Sequence, residues 1–146
     1  MITNTIDFIE THIVHNTHLK LGRFHKQLTL EIRNVKIDPN SYNELDEINQ
    51  ATIVISDQLL YLTSQIDDLL TDEIPFVMVE TTCSTGFKDY ITIYENPFED
   101  QQNTYLLTIR YVNTDNKRNN TEVFQLTKYQ LQMFYKFCLD TVANKE

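Results

Sequence analysis

The sequence predicts an α+β fold in which an N-terminal helix and a long amphipathic helix precede a four-stranded antiparallel meander and a C-terminal helix. Three observations predict it. Apolar residues recur at alternating steps of three and four from Leu45 to Leu69. Four period-two runs occupy residues 76–126, and "VFQLTKYQLQMFYKF" (123–137) passes from the last of them into a helical pattern with no linker.

At the N-terminus, Ile6, Ile9, Ile13 and Val14 are spaced as one helical face, and Gly22 is a suitable stop. Leu28, Leu30 and Ile32 then alternate, and Val35 and Ile37 resume one step out of phase, which reads as a strand with an irregularity at Arg33 and Asn34. Leu45, Ile48, Thr52, Ile55, Leu59, Leu62, Ile66 and Leu69 predict a single helix of about 28 residues by the extent of the pattern, with Asp38, Asn40 or Ser41 as its cap. The β-branched run Thr52–Ile55 is its weak point, because such side chains lower helix propensity. After Pro75, "FVMVETT", "YITIYE", "TYLLTIRYV" and "EVFQL" read as strands joined by turn-rich connections, short enough for antiparallel neighbours. Thr127 and Gln130 fit a capping box, and Leu131, Phe134, Cys138 and Val142 form the apolar face of the final helix.

A chain of 146 residues, 41% apolar, is expected to form one domain, with residues 1–74 mainly helical and 75–146 forming the sheet and last helix. No apolar run is long enough for a membrane span and no export signal is evident, so a cytoplasmic protein with no membrane partner is expected. Cys83 and Cys138 form no CxxC pair, and two glycines are too few for a phosphate-cradling loop. The formal charge of −9 is uneven: residues 38–100 carry fourteen acidic side chains against one basic, and both flanks are mildly basic. Such a block is usually a solvated face; it also suits docking to a protein partner.

Little catalytic chemistry is legible. His12, His15 and His18 follow H-x-x-H-x-x-H, but on a helix the outer two sit well apart around the axis, which serves a metal site poorly. Cys83, Ser84 and Thr85 have no partnered base, and Asp67, Asp68, Asp72 and Glu73 lack the spacing of a calcium loop. No catalytic residue, metal or cofactor is implied, and the expectation is a protein that is not an enzyme.

The sheet offers a binding surface instead. Tyr90, Thr92 and Tyr94 share one face of their strand; on the next, Leu106, Thr108, Arg110 and Val112 point one way and Tyr105, Leu107, Ile109 and Tyr111 the other. One face must be covered by helix. The other can present tyrosines and an arginine to solvent, with Lys88, Lys117 and Arg118 supplying charge from the loops. Rings interleaved with cations hold single-stranded nucleic acid by stacking and phosphate contacts, although tyrosines on a sheet are also ordinary cross-strand packing residues.

The four strands of residues 76–126, the passage "LTKYQLQMFYKF" into the helix, and "YLLTIRYVNTD" together resemble the single-stranded-DNA-binding transcriptional coactivators of the positive cofactor four family and their Whirly relatives. The resemblance covers residues 76–142. It implies a homodimer built partly through C-terminal helices and a single strand held on the sheet, with Lys88, Tyr90, Tyr94, Arg110, Tyr111, Lys117 and Arg118 as contacts. Arg110 and Tyr111 cannot both lie on one face of a regular strand. The loop "NTDNKRNN" holds fewer cations and no glycine where that family has a basic, glycine-bearing loop.

Two functions follow as expectations. One is a small single-stranded nucleic-acid-associated protein; the other is an acidic accessory or inhibitory factor that binds an unknown protein partner. An Asn- and Ile-rich composition with Lys favoured over Arg suits an AT-rich genome such as that of a virus or mobile element.

Overall fold

Alternation, not helical periodicity, governs the first half of the chain. Leu19 and Leu21, then Leu28, Leu30 and Ile32, then Ala51, Ile53 and Ile55 are buried at every second position, the spacing that sends side chains to one face of a strand. In the computed structural model, which describes residues 4–11, 15–37, 40, 44–82, 88–97, 104–113 and 118–143 (backbone only in the first strand and at several strand ends), these positions belong to a four-stranded antiparallel sheet. Its strands are β1 (Asn4–Thr11), β2 (His15–Phe24), β3 (Gln27–Ile37) and β4 (Glu44–Ile55), paired in sequence order. Helix α1 (Leu59–Leu70) follows. The second half repeats the order with β5 (Phe76–Thr82), β6 (Lys88–Glu95), β7 (Thr104–Asn113), β8 (Arg118–Thr127) and α2 (Lys128–Val142).

The expected fold class is therefore overturned in its first half. The segment around Ile6 and Ile9 is strand β1, whose register sets Ile6 against Leu21 and Ile9 against His18, on opposite faces of the sheet. The expected long helix is two elements. Thr52 is exposed while Ile55 is fully buried, which their shared helical face would forbid; only from Leu59 do Leu62, Ile66 and Leu69 follow the helical stripe. The irregularity expected in β3 is present as register shifts on either side of Val35, and it leaves the consecutive residues Asn34 and Val35 both buried.

Both sheets turn one face to a shared core that also takes Leu59, Leu62, Ile66 and Leu69 of α1 and Leu131, Phe134, Phe137 and Cys138 of α2. The helices pack on each other, α1 also on β5 and α2 on β8 and β2. Arg23 fastens β2 to α2: its guanidinium lies 4.5 Å from the centre of the Phe137 ring, and its Nε donates to Thr141 Oγ1 at 2.9 Å. Removing the buried Phe134 ring would cost about 3–5 kcal/mol, the usual range for a core aromatic cut to alanine.

A polar seam joins the sheets where β8, the edge strand of its own sheet, meets the inner face of the other. Asn34 Nδ2 donates to Asn49 Oδ1 at 2.8 Å and to the Val123 carbonyl at 3.2 Å; Asn49 Nδ2 donates to Glu122 at 3.0 Å and to the same carbonyl at 3.2 Å. The Thr17 hydroxyl shares its proton between the Gln125 carbonyl at 2.8 Å and Asn34 Oδ1 at 3.1 Å. Side chains thus satisfy edge carbonyls that would otherwise invite another strand.

Candidate nucleic-acid interface

The outer face of the β5–β8 sheet is built from the positions that alternate with Val77, Val79, Ile91, Ile93, Leu107, Ile109, Phe124 and Leu126, all buried to within 1%. Register stacks the outward residues into rows. Glu80, Tyr90, Arg110 and Thr121 form one; Met78, Thr92, Thr108 and Val123 the next; Phe76, Tyr94, Leu106 and Gln125 the third. Phe76, Met78 and Val123 are 51%, 56% and 46% exposed, large values for apolar side chains. Tyr90, Tyr94 and Leu106 are half-buried among them, and Arg110 is exposed. Rings and apolar groups concentrate on β5 and β6, while Arg110 stands on β7.

The structure brings together Tyr90, Tyr94 and Arg110 of the residues expected from sequence. Tyr111 faces the opposite way. Its hydroxyl accepts from the Thr52 N–H at 2.8 Å and donates to the Thr52 carbonyl at 3.0 Å, so it joins the two sheets. Burial, then the charges of Asp89 and Glu122, push its phenol upward against the lowering effect of the Thr52 bond. Lys88 and Arg118 lie at strand ends, Lys88 in register with Thr82 and Val112, with only their backbones described. Lys117 lies outside the described residues, as do His12, Cys83, Ser84 and Thr85. Phe76, Met78 and Val123 escaped the sequence reading of the site. The signal was the alternation in "FVMV": once Val77 and Val79 are taken as inward, Phe76 and Met78 must face out.

The outer face of the other sheet is polar. His15 and His18 fall on opposite faces of β2 by alternation, and among the described residues no group of three metal-capable side chains exists. Arg33 donates to His18 Nδ1 from Nε at 3.1 Å and from Nη2 at 2.9 Å, which makes Nδ1 the acceptor nitrogen. This pair lines a hollow of about 320 Å³ with Lys20, Glu31, Gln50 and Thr52. Lys20 stands in register between Asp7 and Glu31. Cys138 is wholly buried, and burial pushes its thiol far above the usual range; it is an inert core residue. Among the described residues no helix is long and apolar enough to cross a membrane.

The sequence matches no family model and no curated protein. Solved structures do resemble it. Against the MRP1/MRP2 proteins of a trypanosome the TM-score is 0.61 at 12% identity, covering 97% of this chain and 84% of that one. A guide-RNA-binding protein complex bound to a guide RNA gives 0.60 at 12% identity, covering 97% and 92%. The Whirly protein WHY1 of Arabidopsis thaliana gives 0.54 at 6% identity, covering 97% and 85%. At such identities the likeness is one of fold, and it extends the Whirly resemblance from residues 76–142 to nearly the whole chain.

Proposed function

We propose that this chain is a non-enzymatic protein that binds single-stranded nucleic acid on the outer face of the β5–β8 sheet. The observation that carries the reading is the alignment of Tyr90, Tyr94, Phe76 and Met78 with Arg110 on one solvent-facing surface whose reverse side is fully buried. Stacking on rings with a nearby cation is how strands are held without sequence readout. The fold shared with a complex bound to a guide RNA and with a Whirly protein supports the same class of ligand. Lys88, Lys117 and Arg118, expected from the sequence as further phosphate contacts, are not among the side chains on which this reading rests. The test is fluorescence anisotropy of a labelled single-stranded oligonucleotide at low ionic strength. Tyr90→Ala should weaken binding about tenfold, within the range for losing one stacked base, and Arg110→Ala should weaken it by the loss of a phosphate contact. No binding by the parent protein at low salt overturns the reading.

A second reading, an acidic accessory or inhibitory factor acting on another protein, is favoured by Leu60 and Tyr61, adjacent exposed side chains of α1 within the acidic segment. It expects Leu60→Asp to abolish capture of a protein partner while oligonucleotide binding is unchanged. Sedimentation of both proteins would also measure whether the chain is a homodimer and whether α1 contributes to it.

A further inference from the structure

The rows of the outer face have a spacing and a charge placement that together specify how a strand is held, given the function proposed above. Outward residues on one β-strand recur about every 6.6 Å, two steps of about 3.3 Å. That is about twice the 3.4 Å that separates stacked bases along a nucleic-acid strand. A strand lying along β6 and β7 with one base per row is therefore pulled out of its own stack, and the protein must replace what the bases lose. The first and third rows can do so. Tyr90 serves the first, and Tyr94 with Phe76 and Leu106 serves the third. The middle row sets Thr92 and Thr108 side by side between Met78 and Val123, placing two hydroxyls where a base edge would lie.

Charge points the same way. Arg110 is the single cation among the described side chains of these three rows, and Glu80 shares its row. A phosphate backbone drawn over β5 and β6 would meet Glu80 and apolar groups; over β7 it meets Arg110. The rings lie on β5 and β6. Bases therefore point toward β6 and phosphates toward β7 and solvent.

We propose that this face grips a single strand by its bases: three consecutive, unstacked nucleotides, the outer two resting on Tyr90 and Tyr94, with their phosphates largely in water. Recognition of unpaired bases excludes duplex, whose base faces are already covered, and it makes affinity only weakly dependent on salt.

The experiment compares three labelled oligonucleotides of equal length and charge by fluorescence anisotropy: intact, fully abasic, and abasic at every second position. The intact strand should bind at least about a hundredfold more tightly than the fully abasic one, as two lost stacking contacts require. The alternating oligonucleotide should keep affinity within about threefold of the intact strand, because only alternate bases rest on rings. The logarithm of affinity should fall against the logarithm of salt with a slope of about −0.7, one phosphate contact on a single strand. Tyr90→Phe should bind like the parent and Tyr90→Ala should not, which separates loss of the ring from loss of the hydroxyl. Equal binding of intact and fully abasic strands, or a slope of about −3 or steeper, overturns the inference and leaves single-strand binding intact as a function. Failure of the intact strand to bind overturns both.

Discussion

The Tyr111 hydroxyl closes the open edge of β4 by exchanging two hydrogen bonds with the backbone of Thr52, accepting from its N–H at 2.8 Å and donating to its carbonyl at 3.0 Å. Thr52 lies on an edge strand, where unpaired backbone groups invite another chain, and here one phenol takes the place of a neighbouring strand residue. Tyr111→Phe keeps the packed ring and removes both bonds. Water can reach part of the vacated edge, so the cost should be about 1 kcal/mol, near the net value of an ordinary hydrogen bond. Urea unfolding measures it. Oligonucleotide binding by the same variant should match the parent, because Tyr111 points away from the Tyr90 face; a loss as large as that of Tyr90→Ala would place the strand elsewhere.

Gln130 makes three contacts at the start of α2. Its Oε1 accepts from the Thr127 N–H at 3.1 Å, its own N–H donates to Thr127 Oγ1 at 3.1 Å, and its Nε2 donates to the buried Thr17 carbonyl at 3.0 Å. The cap and the tie between halves are thus one side chain. Thr127→Ala removes only half of the capping box and should cost about 1 kcal/mol. Gln130→Ala also strands a carbonyl in the core and should cost about 2–3 kcal/mol. Equal losses in urea melts would mean that the Thr17 contact contributes nothing.

The capping box was legible because it is local: Thr127 and Gln130 are three residues apart, and a helix N-terminus demands that pairing. The strands from Phe76 onward were legible for the same reason, since each alternates cleanly between turns. The first half was not. Ile48, Thr52, Ile55 and Leu59 happen to continue a three-four spacing across the end of β4, the Ser56–Gln58 turn and the start of α1. The contrary signal was present in the β-branched run Thr52–Ile55 and in Thr52 itself, the one polar member of an apolar stripe. Tyr90, Tyr94 and Arg110 could be placed on one face by alternation within their strands. That Phe76 and Met78 face outward follows from the alternation in "FVMV", but that they stand beside Tyr94 and Thr92 depends on the β5–β6 register, and that Tyr111 reaches Thr52 depends on how the sheets meet; neither of these two placements is encoded by a local pattern.

Asn34 is the buried hub of the seam between sheets, and it is inward together with Val35 only because β3 is bulged there. Asn34→Ala leaves Asn49, Thr17 and the Val123 carbonyl short of a partner and should destabilise by about 2–3 kcal/mol. Asn34→Leu matches the volume but desolvates the same groups, so it should be no better. Thermal unfolding of the two variants decides it: recovery of parental stability by leucine would show that the seam fills space and that its hydrogen bonds do not matter.

Asp89 stands opposite Tyr111 on β6 and β7, and burial raises its carboxyl above the ordinary aspartate value. A folded-state pKa above the unfolded one means that the native protein favours the protonated acid. The stability this group contributes is complete below the unfolded pKa, near 3.9 for an aspartate, and is lost as pH rises through the folded value. At neutral pH the ionised carboxylate is then a net cost, and it also adds to the upward push on the Tyr111 phenol. Asp89→Asn removes the charge with nearly the same shape. The variant should melt at a higher temperature than the parent at pH 7, and the difference should vanish as pH is lowered toward about 4. A variant less stable than the parent at pH 7 would instead mean that the ionised Asp89 has a stabilising partner in the folded state.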